Sequence, residues 1–186
     1  MSAVLAIICG LLVIGFDQLT KYLITINMDL NEVIPVIPGL INFNRIPPNA
    51  GAAFGMFQGQ TWFLITVTGV IMIICIAMLI RKTFDSKIMF WALCLVLSGG
   101  AGNLIDRIFR GGGVVDFLEF GFFEFPVFNV ADIAVCVGAG LIVLYFIMDF
   151  IKDARNKNTS IDKINAEEDS VIEQENANVG KETDGN

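Results

Sequence analysis

Apolar residues in this chain come in long unbroken runs rather than in the alternation of a half-buried strand or the three-and-four spacing of a surface helix. A hydrocarbon layer of roughly 30 Å takes about 20 mostly apolar residues in a helix. Four stretches satisfy that length, about 3–26, 61–80, 88–108 and 130–150, and only the second is wholly free of charge. The first opens on an apolar run, Ala3 to Phe16, with the length of a secretory signal core. No basic residue precedes it and apolar character resumes past Lys21 with Tyr22-Leu23-Ile24, so it reads as a retained spanning helix. The expected fold class is an α-helical integral membrane protein with four transmembrane helices.

The connecting segments refine this picture. Residues 27–60 mix turn formers with β-branched residues, as in Val33-Ile34-Pro35-Val36-Ile37-Pro38-Gly39 and then Leu40-Ile41-Asn42-Phe43, which predicts short strands and tight turns in a small extracytoplasmic β element. Residues 109–129 run from Gly111-Gly112-Gly113 through Val114-Val115-Asp116-Phe117-Leu118 to Phe122-Phe123 and Phe125-Pro126, and are expected to lie on or dip into the interface. Arg81, Lys82 and Lys87 crowd the short 81–87 loop, and Lys152, Arg155 and Lys157 follow the last helix. Cytoplasmic loops carry the lysine and arginine excess, so both regions, and with them both termini, are expected in the cytoplasm. Segments 27–60 and 109–129 then lie outside, with Arg45 and Arg110 as their only basic residues.

Composition supports the bilayer as solvent: 55% of the 186 residues are hydrophobic and 17% charged. The formal net charge is −7. The stretch after Asn158 holds eight acidic residues against Lys163 and Lys181, so it supplies −6 of that total and leaves the membrane body near neutral. Such a polar segment has too little apolar surface to offset ordering entropy and is predicted to be a disordered cytoplasmic tail. The domain division expected is a membrane unit over 1–152 and a tail over 153–186. The absence of a basic stripe argues against nucleic acid as a partner. Cys9, Cys75, Cys94 and Cys136 all fall in apolar segments without metal-site spacing. Histidine is absent, so any catalysis must use other groups, and no metal or organic cofactor is expected.

Ionisable side chains inside a membrane are costly, and each is a site hypothesis until a partner is named. Asp17 and Lys21 lie four apart on one helical face, as an ion pair that either locks the first helix to its neighbours or serves a substrate. Asn103, Asp106 and Arg107 share a face of the third helix, where Arg107 can pair with Asp106 or donate to a ligand carbonyl. The preceding Ser98-Gly99-Gly100-Ala101-Gly102 favours close helix packing. Asn129 reads as an N-cap with Asp132 at N3, and Asp116 taken alone reads as a loop acid. Together Asp116 and Asp132 belong to the same outer face in a chain without histidine. Two carboxylates held close share a proton, the state an aspartic hydrolase requires.

These motifs make the chain resemble the bacterial lipoprotein signal peptidases, or signal peptidase II, over about residues 10–150. Five blocks carry the resemblance: Phe16-Asp17-Gln18-Leu19-Thr20-Lys21; Asn49-Ala50-Gly51-Ala52-Ala53-Phe54-Gly55; Gly102-Asn103-Leu104-Ile105-Asp106-Arg107; Val114-Val115-Asp116-Phe117; and Phe128-Asn129-Val130-Ala131-Asp132. The resemblance implies an intramembrane aspartic endopeptidase of the bacterial inner membrane that removes the signal peptide from diacylglyceryl-modified prolipoproteins, cutting before the lipidated cysteine near the outer leaflet. It implies Asp116 and Asp132 as the catalytic pair. Asn49, Gly51, Asn103, Arg107 and Asn129 are then the groups that hold the substrate, and Asp17, Lys21 and Asp106 support the site. Lipid-modified prolipoproteins and membrane lipids are the partners implied. Two departures stand out: Ala50, preceded by Pro47-Pro48, where the family usually has threonine, and a Gly111-Gly112-Gly113 run where a shorter turn is usual. The run is expected to loosen how Asp116 is presented.

A cation or proton transporter lined by Asp17, Asp106, Asp116 and Asp132 is the rival from another class. It needs acids through the depth of the bilayer, whereas the second helix has none and the fourth has none between Asp132 and Asp149. A Mg²⁺- or Mn²⁺-dependent hydrolase is a further alternative, distinguished by sensitivity to chelators. A noncatalytic membrane scaffold is a third, for which paired aspartates have little use.

Overall fold

A computed structural model describes residues 3–52 and 55–183, with side-chain surroundings for 4–52 and 55–157. The element order is α1 (Ala3–Asn27), β1 (Val33–Ile37), β2 (Ile41–Asn44), α2 (Thr61–Ile80), α3 (Lys87–Phe109), β3 (Leu118–Phe120) and α4 (Val130–Thr183). Among the described residues four stretches are long and apolar enough to cross a bilayer: Val4–Asn27, Thr61–Ile80, Lys87–Phe109 and Val130–Lys157. The chain divides into two compact units, Met1–Val143 and Leu144–Asn186.

The first unit has apolar residues outside and polar residues within. Leu11, Leu12, Phe16, Trp62, Ile73 and Ile80 are all more than half exposed, while Asp17, Lys21 and Asp106 are fully buried. That arrangement suits a solvent of lipid tails, in which apolar surface needs no cover and charges do. Helix α3 packs against both α1 and α2. Glycines on α3 and α4 allow these two helices to approach as closely as backbone permits: a Cβ on Gly99 would overlap the Ala131 carbonyl, and one on Gly138 would meet the Ala92 carbonyl at 2.8 Å. The expectation that the small residues of α3 serve packing is met at Gly99.

The β element sits where α1 ends and α2 begins. Ile37-Pro38-Gly39-Leu40 closes a turn, with Leu40 N–H donating to the Ile37 carbonyl at 2.9 Å and Gly39 at φ 75°. Proline at the second position and a left-handed glycine at the third are what a type II turn requires. β2 pairs antiparallel with β1 and also with β3, so one three-stranded sheet draws on both connecting segments. The second segment, expected to lie on the interface, therefore contributes a strand. Hydrophobic repetition is weak over three residues, which is why β3 is invisible to a periodicity argument.

Two further strand-like contacts fix the loop that carries Asp116. Asn49 and Val114 exchange backbone hydrogen bonds at 2.8 and 2.9 Å, and Leu118 and Phe128 do so at 2.8 and 2.9 Å. Phe117 closes a buried cluster with Ile24 of α1 and Met28 just past its end, backed by Phe43, Leu118 and Val130. With Phe117 anchored into that cluster, its neighbour Asp116 is turned the other way.

The glycine run is tighter than its sequence suggests. Gly111 and Gly112 adopt φ of 74° and 97°, which other residues would strain to reach. A Cβ on Gly113 would stand 2.6 Å from the Pro48 Cβ, and one on Gly112 would press on Thr61. The glycine run thus meets the Pro47-Pro48 pair that precedes Ala50: the lost side-chain volume on one loop accommodates the proline on the other. The looseness expected of this run is not what the packing gives.

The tail also departs from expectation. Its backbone continues α4 through Thr183 rather than taking an irregular course. No proline interrupts the segment, and its one glycine before Thr183, Gly180, stands near the end, so nothing breaks the i to i−4 ladder.

Candidate active site

Lys21 is the centre of the buried polar cluster. Its Nζ lies 2.9 Å from Asp17 Oδ2, 2.9 Å from Asp106 Oδ2 and 2.9 Å from Asn103 Oδ1. The i, i+4 pairing with Asp17 follows from helix geometry. The bond to Asp106 ties α1 to α3 and corrects one expectation, since Asp106 pairs with Lys21 and Arg110, not with its neighbour Arg107. Consecutive residues diverge by about 100° on a helix, so Asp106 faces α1 while Arg107 is aimed elsewhere. Both acids also accept from backbone: Asp17 through its second oxygen, Oδ1, from Ala131 N–H at 2.9 Å, and Asp106 through the same Oδ2 from Val115 N–H at 3.2 Å. The cluster therefore holds the start of α4 and the residue just before Asp116.

The start of α4 is set by a reciprocal cap. Asp132 N–H donates to Asn129 Oδ1 at 3.0 Å, and Asn129 N–H donates to Asp132 Oδ2 at 3.0 Å. This is a capping box with Asn and Asp in the two roles, as the sequence predicts. The cap leaves Asp132 Oδ1 to receive Asn103 Nδ2 at 2.7 Å. The Asn129 amide, fully buried, donates to Asp116 Oδ1 at 2.7 Å and to Asn103 Oδ1 at 3.1 Å. Asn49 Nδ2 donates to Asp116 Oδ2 at 3.0 Å, while its Oδ1 accepts from Gly51 N–H at 2.9 Å. Three asparagine amides thus fix both carboxylates, and Asn103 passes that order back to Lys21.

Asp116 and Asp132 face one cavity of about 410 Å³, together with Asn49, Gly51, Asn103 and Arg107. Its other walls are apolar and aromatic, among them Phe120, Phe125 and Phe128. Arg107 donates from Nη2 to the Gly51 carbonyl at 3.1 Å, and its buried Nε–H has no partner. A buried donor without an acceptor costs about 1–3 kcal/mol, so this one is ready for a ligand carbonyl. Burial, and secondarily the facing Asp132 charge, push Asp116 up from 3.8 to about 6, against the opposing pull of Asn49, Asn129 and Lys21. Because the folded value is raised, its contribution to stability is complete below about pH 4 and is lost as pH rises through about 6. The cost of keeping Asp116 charged above that range is about 3 kcal/mol.

Nine of the ten residues singled out from the sequence meet the cavity or the Lys21 cluster directly, and Asn129 joins the two from behind. Gln18 and Arg110 were missed, though each holds Asp106. Gln18 lies inside the first of the five motifs, and a polar amide in an otherwise apolar run is the available signal. Ala53 and Phe54 of the second motif lie outside the described residues.

Comparison with known proteins identifies the family. The family model described as signal peptidase (SPase) II matches residues 9–148. The lipoprotein signal peptidase of Halalkalibacterium halodurans is 39% identical over 153 residues, covering 81% of this chain and 97% of that one. That of Shouchella clausii is 40% identical over 156 residues, covering 84% and 99%, and that of Brevibacillus brevis 43% over 137, covering 74% and 91%. A solved bacterial membrane enzyme structure, obtained by the in meso method at 2.3 Å, superposes with a TM-score of 0.75 at 33% identity, covering 80% of this chain and 90% of that one.

Replacing Lys21 with methionine leaves buried Asp17 without its cationic partner and buried Asp106 with Arg110 alone. The Lys21→Met protein is expected to lose about 3–5 kcal/mol of stability, the usual result of removing one partner from a buried ion pair. Thermal unfolding in detergent reads this directly, and a midpoint within a degree or two of the wild type would show that the cluster does not hold the fold.

Proposed function

We propose that this chain, which belongs to the signal peptidase II family, cleaves its substrates by an aspartic mechanism at Asp116 and Asp132. The family consists of bacterial membrane proteases, and membership supports removal of signal peptides from prolipoproteins. The finer reading is that the substrate is diacylglyceryl-modified and is cut just before the lipidated cysteine, at a site near the outer leaflet with both chain termini in the cytoplasm.

The observation that carries the mechanism is the shared cavity of two asparagine-held carboxylates, one of them raised to about 6 beside the other. Such a pair is stable with one proton between its members. The charged member takes a proton from a water molecule, whose oxygen attacks the scissile carbonyl carbon. The protonated member donates to the carbonyl oxygen as negative charge grows there. When the C–N bond breaks, a proton from the pair goes to the leaving nitrogen. A peptide drawn into a lipid-bounded cavity also needs its backbone groups satisfied. Arg107 Nε–H supplies a donor, and Asn49 and Asn103 stand beside the carboxylates at the cavity wall. The aromatic wall is suited to the apolar part of the substrate, with Phe120 stacked on Phe123 at 5.0 Å and meeting Phe128 at 5.0 Å.

Asp116→Asn and Asp132→Asn are each expected to abolish conversion of a lipid-modified prolipoprotein to its mature form, by at least about a thousandfold. The wild-type enzyme should keep its activity in chelator, where a carboxylate-metal hydrolase would not. Normal processing by either variant would end the dyad reading.

Acidity gives an independent check. The monoprotonated pair is depleted when Asp116 loses its proton, so kcat/KM should fall as pH rises beyond about 6. Bound substrate displaces water and deepens the same desolvation, so the alkaline limb of kcat should lie at higher pH than that of kcat/KM. Coincident or absent limbs would count against a proton-sharing pair.

The peptidase unit we propose is residues 1–152, with 153–186 accessory. A chain lacking 159–186 is expected to process prolipoprotein at the wild-type rate, and a truncated enzyme that folds but does not cleave would refute this division.

A further inference from the structure

Beneath the dyad lies a bracket of two side chains to which no role in the reaction has been given. Gln18 Nε2 donates to Asp106 Oδ1 at 3.0 Å, to Asp17 Oδ2 at 3.1 Å and to the Gly102 carbonyl at 3.1 Å. Arg110 places Nε 3.2 Å from the same Asp106 Oδ1, and its Nη2 donates to Gln18 Oε1 at 3.2 Å. Asp106 is thereby held from one side by Gln18 and Arg110, while its other oxygen serves Lys21 and the Val115 N–H. A rotation of that carboxylate, which the bracket prevents, would release Val115 and with it the backbone next to Asp116. Arg110 also anchors the end of α3 through its own N–H to the Asp106 carbonyl at 2.8 Å, immediately before the glycine turn that leads to Asp116.

We propose that Gln18 and Arg110 are positioning residues, which act through Asp106 and the Val115 N–H to hold Asp116 in register with Asp132. The inference rests on the dyad reading above. It has an electrostatic side as well. The charges around the bracket are Asp17 and Lys21 from α1, Asp106 and Arg107 from α3, Asp116 from the loop and Asp132 from α4. Lys21 and Arg110 together balance Asp17 and Asp106. Without the Arg110 charge the bracket carries one net negative charge, which makes a second carboxylate beside it harder to ionise.

The test uses the full chain in detergent with a synthetic diacylated prolipoprotein peptide, following kcat, KM and their pH profiles beside thermal unfolding. Asp116→Asn serves as the reference. Arg110→Gln is expected to lower kcat roughly ten- to a hundredfold with KM within about twofold, the pattern of a misplaced catalytic group. Its alkaline limb should move to higher pH. Arg110→Lys should return the limb to its wild-type position while restoring kcat only in part, because lysine keeps the charge and loses the fork. Gln18→Met should lower kcat and leave the limb unmoved. Wild-type kcat and pH profile in Arg110→Gln and Gln18→Met would overturn the proposal, and so would losses accounted for entirely by a smaller folded fraction. Should Arg110→Gln fail to fold, Arg110→Lys and Gln18→Met decide by the same criteria. Processing by Asp116→Asn would instead sink the dyad reading itself, and an inactive Asp116→Asn beside normal bracket variants sinks only this inference.

Discussion

A single ammonium group, Lys21 Nζ, stands fully out of solvent with two carboxylates and an amide oxygen each at 2.9 Å. In a lipid-bounded interior such a charge persists only if its partners are fixed around it. Each partner is held by something else: Asp17 by the first turn of α4, Asp106 by the loop before Asp116, Asn103 by the amide of Asn129. Satisfying one buried lysine thus requires α1, α3, α4 and the second connecting segment to meet in one register. The proposed catalytic carboxylates lie at the ends of two of those dependent pieces, so the geometry of the proposed chemistry is inherited from the geometry of the ion cluster.

The sheet supplies what the ion cluster cannot. Charge fixes Val115 from behind, but the direction of Asp116 depends on where Phe117 goes, and that is a matter of apolar packing against Ile24 and Met28. The exchange of backbone hydrogen bonds between Asn49 and Val114 then brings an amide donor to Asp116 from the other connecting segment. A carboxylate held by two amide donors and raised by burial is an intermediate case. It is neither freely ionised, as it would be in water, nor fixed as neutral. This balance is what sharing a proton with Asp132 needs.

Much of this was legible in the sequence because the bilayer restricts what a helix can be made of. Four apolar runs gave the helices, and the three-and-four spacings of Asp17 with Lys21 and of Asn129 with Asp132 gave an ion pair and a cap that the structure contains. Contacts set by helix rotation were not legible. The spacing allows Arg107 either to pair with Asp106 or to donate to a ligand carbonyl, and choosing between Arg107 and Lys21 as the partner of Asp106 requires knowing which face of α3 meets α1. β3 is too short to announce itself. The glycine run misled for a related reason: glycine signals conformational freedom in a sequence, yet here Gly112 and Gly113 mark places where Thr61 and Pro48 leave no room for a side chain. The helical course of the tail went unforeseen because composition speaks to whether a segment can build a core, and a helix can continue without one.

The placement of charge also separates an enzyme from a conduit. A path for cations needs carboxylates that remain available along the membrane, whereas Asp17 and Asp106 are here consumed by Lys21, Gln18, Arg110 and backbone amides. Helix α2 brings no carboxylate, and α4 has none between Asp132 and Asp149. A buried ion cluster of this kind adds little net stability compared with well-packed apolar residues, because desolvation offsets the attraction. What it contributes is discrimination. A slip of α1 against α3 by one residue would turn Lys21 away from Asp106 by about 100° and leave both groups unpaired in an apolar medium. Alternative packings of the same apolar helices are thereby penalised by several kcal/mol. That penalty is how four otherwise interchangeable apolar helices come to present two aspartates to one cavity.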